Sequence, residues 1–221
     1  MPDSITKAAG VGPVRRQSAL SGIIKPGLHG ANDYRGAGLL IIERHPLSMV
    51  QIEAHGPEVA GMLEASKSVL GLRPPQAPNT SAGDGRPRVL WTGPNRWLVV
   101  EPEIRDLNEL LQDALAPLDP ASLVQASPHG GAAVVDLGHG RASFRLAGRS
   151  VRQVLMKGAG LDWHVSAFMP GMCAQTTIFH LSALIDCRDE STFDVYVARG
   201  FALSFLENLT QAAAEYGYRL S

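Results

Sequence analysis

Two apolar runs meet across Gly93-Pro94-Asn95, and that junction constrains the fold more tightly than any other stretch. The segment Arg88-Val-Leu-Trp-Thr-Gly-Pro-Asn-Arg-Trp-Leu-Val-Val100 sets three turn-forming residues between extended hydrophobic flanks. Proline fixes one dihedral and asparagine tolerates unusual ones. The flanks therefore read as two strands joined by a tight turn, with Trp91 and Trp97 exposed near one corner. Strands joined this closely run antiparallel. A doubly wound parallel sheet would need a helical crossover after nearly every strand, and the chain does not supply one.

The surrounding pattern is strand-rich. Residues 39–43 are an apolar strand candidate, and residues 49–54 alternate, with Val50, Ile52 and Ala54 on one face. Residues 58–70 place Val59, Met62, Leu63, Ser66, Val69 and Leu70 at helical spacing, and Gly71 stands where a helix terminator belongs. Residues 72–88 are punctuated by proline and glycine and read as a surface excursion. A second helix is expected over 104–118, with a stripe of Ile104, Leu107, Leu110, Leu111, Leu115 and Leu118.

The second half repeats this order. Strands are expected at 132–137 and 142–147 around a Gly138-His-Gly-Arg turn, then a helix over 148–156 and a break at Gly158 and Gly160. Strands follow at 173–181, 182–186 and 192–198. A helix over 201–214 has Phe201, Leu203, Phe205, Leu206 and Leu209 on its apolar side. The fold class is α+β: two pseudo-repeated strand-rich halves, each with two helices, sharing a core because neither has enough apolar surface alone. The boundaries fall at 1–38 for an extended N-terminal arm, 39–125 for the first half and 126–221 for the second. The arm has apolar anchor points in residues 19–24 and Tyr34. It reads either as a segment ordered against a partner or as coil lying on its own domain.

With 20 basic and 21 acidic residues in 221, the formal net charge of -1 gives no long-range attraction for nucleic acid or an anionic membrane. No segment approaches the roughly 20 apolar residues needed to span a bilayer, and no signal-peptide core precedes residue 38, so a cytoplasmic protein is expected. Cys173 and Cys187, the two cysteines, read as free buried thiols, with a disulfide as the alternative.

The chemistry-bearing residues form no signature. Seven histidines include no HExxH pair, and neither cysteine has a partner at zinc-module spacing. His180 reads as a cross-strand polar residue, and His129 and His139 lie in glycine-rich turns. Residues 127–131 lack the strand and helix of a phosphate-binding loop. Ser143, Ser166, Ser204 and Cys173 are nucleophile candidates with no supporting motif. Asp136, Asp162, Asp186 and Asp194 lie near strand ends, where pairing with arginine or a turn amide is the expected role. No catalytic, cofactor-binding or metal residue is assigned.

Several stretches nevertheless resemble one family in their wording and order. They are Trp91-Thr-Gly-Pro-Asn-Arg-Trp-Leu-Val99, Val135-Asp-Leu-Gly-His-Gly-Arg-Ala-Ser-Phe-Arg-Leu-Ala-Gly148, Val154-Leu-Met-Lys-Gly-Ala-Gly-Leu-Asp162, Phe168-Met-Pro-Gly-Met-Cys-Ala-Gln-Thr176 and Tyr196-Val-Ala-Arg-Gly-Phe-Ala-Leu-Ser204. Together they resemble the gamma subunit of heterotetrameric sarcosine oxidase, itself similar to the amino-terminal region of folate-dependent aminomethyltransferases. Gly93, Pro94, Trp97, Gly148, Leu155, Asp162, Phe168, Pro170 and Gly171 are carried over as family-signature positions, with no catalytic role.

The resemblance implies a non-catalytic accessory subunit of an alpha-beta-gamma-delta complex that oxidatively demethylates sarcosine to glycine, with tetrahydrofolate as one-carbon acceptor. FAD, FMN, NAD and zinc then reside in partner subunits and none in this chain. Trp163, Tyr34 and Ile23 are the interface candidates, Trp163 because it follows the glycine break. The rival reading is an independent folate- or pterin-binding enzyme of the aminomethyltransferase-like group. A plainer one is a scaffold for another complex.

Overall fold

The computed structural model describes residues 17–31, 36–118 and 131–221. Its first half contains β1 (Gly27–His29), β2 (Leu39–Glu43), β3 (Leu47–His55), α1 (Glu58–Leu70), β4 (Ser81–Ala82), β5 (Arg88–Gly93), β6 (Arg96–Pro102) and α2 (Leu107–Leu115). The second contains β7 (Gly131–Asp136), β8 (Arg141–Ala147), α3 (Val151–Met156), β9 (Cys173–Ile178), β10 (Leu181–Asp189), β11 (Thr192–Ala198), α4 (Ala202–Ala213) and β12 (Tyr218–Leu220). Among the described residues no helix is long and apolar enough to cross a membrane.

The strands form two sheets. One has the order β1-β12-β2-β8-β11-β10-β9 and the other β4-β5-β6-β3-β7. Every ladder is antiparallel except β12 with β2, as the hairpin-rich sequence demands. The α+β class therefore holds. Sheet membership cuts across the two halves: β2 pairs with β8 in the larger sheet, while β7 pairs with β3 in the smaller one. Each half thus lends a strand to the other's sheet, which is how the core is shared. The expected boundary at 125/126 lies outside the described residues.

The layers follow from strand alternation. Val50, Ile52 and Ala54 of β3 turn outward to meet Met62 and Leu63 of α1 and Leu107, Leu111 and Leu115 of α2. On the larger sheet, Ile41, Phe144, Leu146 and Val195 meet Val154 and Leu155 of α3 and Phe205 and Leu209 of α4. The opposite strand faces meet each other in a middle layer of Leu47, Met49, Leu90, Leu98, Val100, Cys173, Leu184 and Tyr196. The order is helix, sheet, sheet, helix. At one corner the sheets are stitched by backbone bonds: the Ser81 amide donates to the Gly171 carbonyl at 2.8 Å and the Cys173 amide to the Asn79 carbonyl at 2.8 Å.

α1 spans the expected residues, and Gly71 closes it in the left-handed conformation with φ of 70°. The second helix is shorter than its apolar stripe suggested. Asp106 caps it by accepting from the Glu109 amide at 2.9 Å, which leaves Ile104 outside the helix and 73% exposed. Leu110 is also exposed. α3 begins only at Val151, and in α4 Phe201 and Leu203 face outward while Phe205, Leu206 and Leu209 are buried.

Residues 173–181 are not one strand. Phe179 and His180, with φ of 50° and 64°, form the two-residue turn between β9 and β10, so His180 is a turn residue rather than a cross-strand one. In the arm, β1 pairs with β12 and Leu20 is 1% exposed, so residues 17–31 lie on the chain's own larger sheet. Tyr34, His129 and all of the 127–131 loop except Gly131 lie outside the described residues. Gly148 has φ of 132° and sits against the backbone of Gly38, where a Cβ would come within 2.4 Å of the carbonyl oxygen. Only glycine fits that approach.

Candidate functional site

Pro94 and Asn95 make the turn between β5 and β6, Asn95 taking φ of 57° while Gly93 pairs with Arg96. The corner does not expose both indoles. Trp97 is 2% exposed, and its Nε1 donates to the Pro75 carbonyl at 2.6 Å, so the excursion over 72–87 folds back and covers it. Trp91 remains half-buried and lines an open recess of about 290 Å³ with Val59, Leu63, Pro94, Gln76 and Asn95.

The other signature positions lie in and around a second knot of packing. Trp163 was the leading interface candidate, but it is 3% exposed and belongs to the core. Its ring meets Phe168 at 5.6 Å and Phe193 at 5.8 Å, both edge-on, and its Nε1 donates to the Ala159 carbonyl at 3.1 Å. Arg152, overlooked in the sequence, organises this knot. Its guanidinium lies 4.9 Å from the Phe193 centroid and donates to the carbonyls of Glu190, Trp163 and Phe168. Leu155 is buried beneath it in α3. Asp162 accepts from the His164 amide at 2.9 Å, a turn carboxylate as expected. Pro170 is exposed, and Gly171 has φ of 86° and carries the carbonyl that holds Ser81. Ile23 is 47% exposed.

The strongest electrostatic feature is buried between the sheets. Asp186 and Asp194 are direct partners across β10 and β11, mid-strand rather than at strand ends, and both are fully buried. Like charges placed so would repel without cations beside them. From the smaller sheet, Arg88 grips Asp186 through Nε at 2.9 Å and Nη2 at 2.6 Å, and Ser81 Oγ donates to the same carboxylate at 2.7 Å. Arg145 holds Asp194 by two contacts of 2.8 Å, and Arg44 adds a third at 3.0 Å. Arg188 lies 3.6 Å from Asp186 and 3.9 Å from Asp194. Burial works to lower the Arg88 pKa, but the hydrogen bonds and charge of Asp186 override it and hold the guanidinium above its ordinary range.

These carboxylates are spoken for, and the nucleophile candidates are no better placed. Cys173 and Cys187 are free and buried. Burial pushes the Cys173 thiol up to about 12 and the Cys187 thiol up to about 11, so neither supplies thiolate near neutrality. Ser166 Oγ lies 2.8 Å from His164 Nδ1, but Asp162 bonds the His164 backbone instead of its ring, so no charge-relay triad forms. Among the described residues no three of His, Cys, Asp and Glu lie together as metal ligands.

Removing Asp186 strands a buried guanidinium. Asp186→Ala is expected to cost about 3–5 kcal/mol in urea denaturation, whereas Glu64→Ala, which breaks the exposed pair with Arg73 at 3.4 Å, costs less than about 1 kcal/mol. The thiols add a pH dependence. Their folded pKa values are raised, so their contribution is complete below about pH 8.5 and is lost as pH climbs toward the folded values. Urea midpoints are expected to fall across that alkaline window, less steeply in Cys173→Ala.

A model of the sarcosine oxidase, gamma subunit family matches residues 54–215. A chain of the heterotetrameric sarcosine oxidase from Corynebacterium sp. U-96, solved in complex with pyrrole 2-carboxylate, superposes with a TM-score of 0.74 at 21% identity, covering 91% of this chain and 96% of that one. The glycine cleavage system aminomethyltransferase T from Bartonella henselae gives a TM-score of 0.56 at 14% identity, with 83% of this chain on 48% of that one. Among curated proteins no sequence matches. The family match covers well over half of the sequence: the chain belongs to the sarcosine oxidase gamma subunit family.

Proposed function

We propose that the chain is a non-catalytic accessory subunit of a heterotetrameric sarcosine oxidase, supporting assembly with alpha, beta and delta subunits. The complex would oxidatively demethylate sarcosine to glycine, with tetrahydrofolate as one-carbon acceptor. FAD, FMN, NAD and zinc would belong to the partners. The family match over residues 54–215 carries this reading, and the fold likeness to a heterotetrameric sarcosine oxidase chain supports it. The buried acids and arginines also fit a structural role, since each named carboxylate is committed to an arginine or a backbone amide. A cytoplasmic setting accords with the two free thiols.

A folate- or pterin-binding enzyme is the second reading. It draws on the likeness to the aminomethyltransferase and on the recess beside Trp91, which Gln76 and Asn95 line with polar groups. Two measurements separate the readings. Co-expression with alpha, beta and delta subunits should yield a four-chain complex, and the purified chain alone should not turn over sarcosine. Saturable micromolar binding of tetrahydrofolate to the isolated chain, read by tryptophan fluorescence, would favour the second reading; a chain that stays monomeric beside all three partners would reject the first.

A further inference from the structure

Strand β8 turns Arg141, Ser143 and Arg145 toward the smaller sheet, because alternate residues share a face. Their partners across the ladder on β11 are Ala198, Tyr196 and Asp194. Arg145 therefore meets a carboxylate in its own register and binds it at both oxygens. Arg141 meets a methyl group. Among the described residues its side chain makes no hydrogen bond and no ion pair, and burial lowers its pKa, as it does for a cation taken from water without a counter-charge. The neighbouring Ser143 Oγ is buried and has no partner either.

Both residues line a recess between the end of β2, the turn from β7 to β8 and the end of β11, which Arg44, Arg199, His45 and His139 also line. Among the described residues its one acid is Glu43, held by Ser18 Oγ at 2.6 Å. Arg44 is turned to Asp194 at 3.0 Å, and Arg199 donates to the neutral Gln17 carbonyl at 2.7 Å. Three arginines thus line the recess beside one committed carboxylate, and of the three only the Arg141 side chain has no partner. The free interior admits roughly one water-sized group, so the recess takes the tip of a ligand and excludes a ring system.

We propose that this recess is a carboxylate-binding site: one carboxylate oxygen enters it and accepts hydrogen bonds from Arg141 and the Ser143 hydroxyl, while the other oxygen stays at the mouth. The carboxylate comes either from a free small acid or from an acidic side chain of an associated subunit. The site does not depend on the accessory-subunit reading, because the free-acid source needs no partner.

Calorimetric titration of the full-length chain with sodium acetate, against sodium chloride at equal ionic strength, reads the free acid. Affinity for the co-expressed alpha, beta and delta subunits reads the other source. If the acid is free, Arg141→Met weakens acetate binding about tenfold or more, Ser143→Ala weakens it less, and Arg141→Lys retains part of it. If it is borne by a subunit, acetate does not bind and Arg141→Met lowers subunit affinity by about tenfold. Circular dichroism checks that each variant folds, and Ser143→Ala carries the test if Arg141→Met does not. Where the chain joins no oxidase, the acetate titration decides alone. The proposal is overturned if neither readout responds to the Arg141 or Ser143 substitutions, or if Arg219→Met, at an exposed arginine of β12 outside the recess, lowers them equally.

Discussion

The contact between Arg88 and Asp186 is the constraint around which the rest of the molecule is arranged. It joins β5 of one sheet to β10 of the other, with both charges out of water. Such a pair adds little net stability over well-packed hydrophobic groups, yet leaving either member alone is costly. Its effect is geometric, because the two sheets must meet in one register for the fork of Arg88 to find both oxygens. Asp194 follows from it. Set directly opposite Asp186, that carboxylate is tolerable only because Arg145, Arg44 and Arg188 stand around it. The backbone bonds from Ser81 to Gly171 and from Cys173 to Asn79 close the corner beside the pair.

Local periodicity made much of the fold legible. β2, α1 and β11 stand where their apolar patterns placed them, and Gly71 closes α1 as expected. Where local and tertiary demands diverge, the reading fails. Ile104 continues the α2 stripe in sequence, but Asp106 captures the helix start, and at the start of α4 Ala202 is the residue that enters the core, with Phe201 and Leu203 turned out on either side of it. Phe179 and His180 form a left-handed turn from residues that carry no turn signal. The three-residue strands β1 and β12 are too short to show any period.

The site was less legible because its partners are remote in sequence. Asp186 and Asp194 stand out as carboxylates among apolar residues, but Arg88 lies 98 positions from Asp186 and Arg145 lies 49 from Asp194. An indole gives no local sign of its burial. The glycine break before Trp163 suggests a contact, yet the residue is part of the core, while Arg152, which binds the carbonyls around it, looks like any helix-surface arginine. The positions that carry the resemblance in sequence mostly fix shape: Gly148 against Gly38, Gly171 against Ser81, Trp97 beneath Pro75. A chain whose distinguishing residues fix shape suits a part played by surface rather than by chemistry.

That part requires the two halves to behave as one rigid body, since the strand exchange and the buried ion network leave neither sheet free to open alone. Native-state hydrogen exchange measures this directly at the amides of Ser81 and Cys173 in the corner and of Ile52 and Val195 in the two sheets. The account predicts that all four exchange only through global unfolding, with one common free energy and one common denaturant dependence. Opening of the smaller sheet at a lower free energy, while Val195 stays protected, would contradict it.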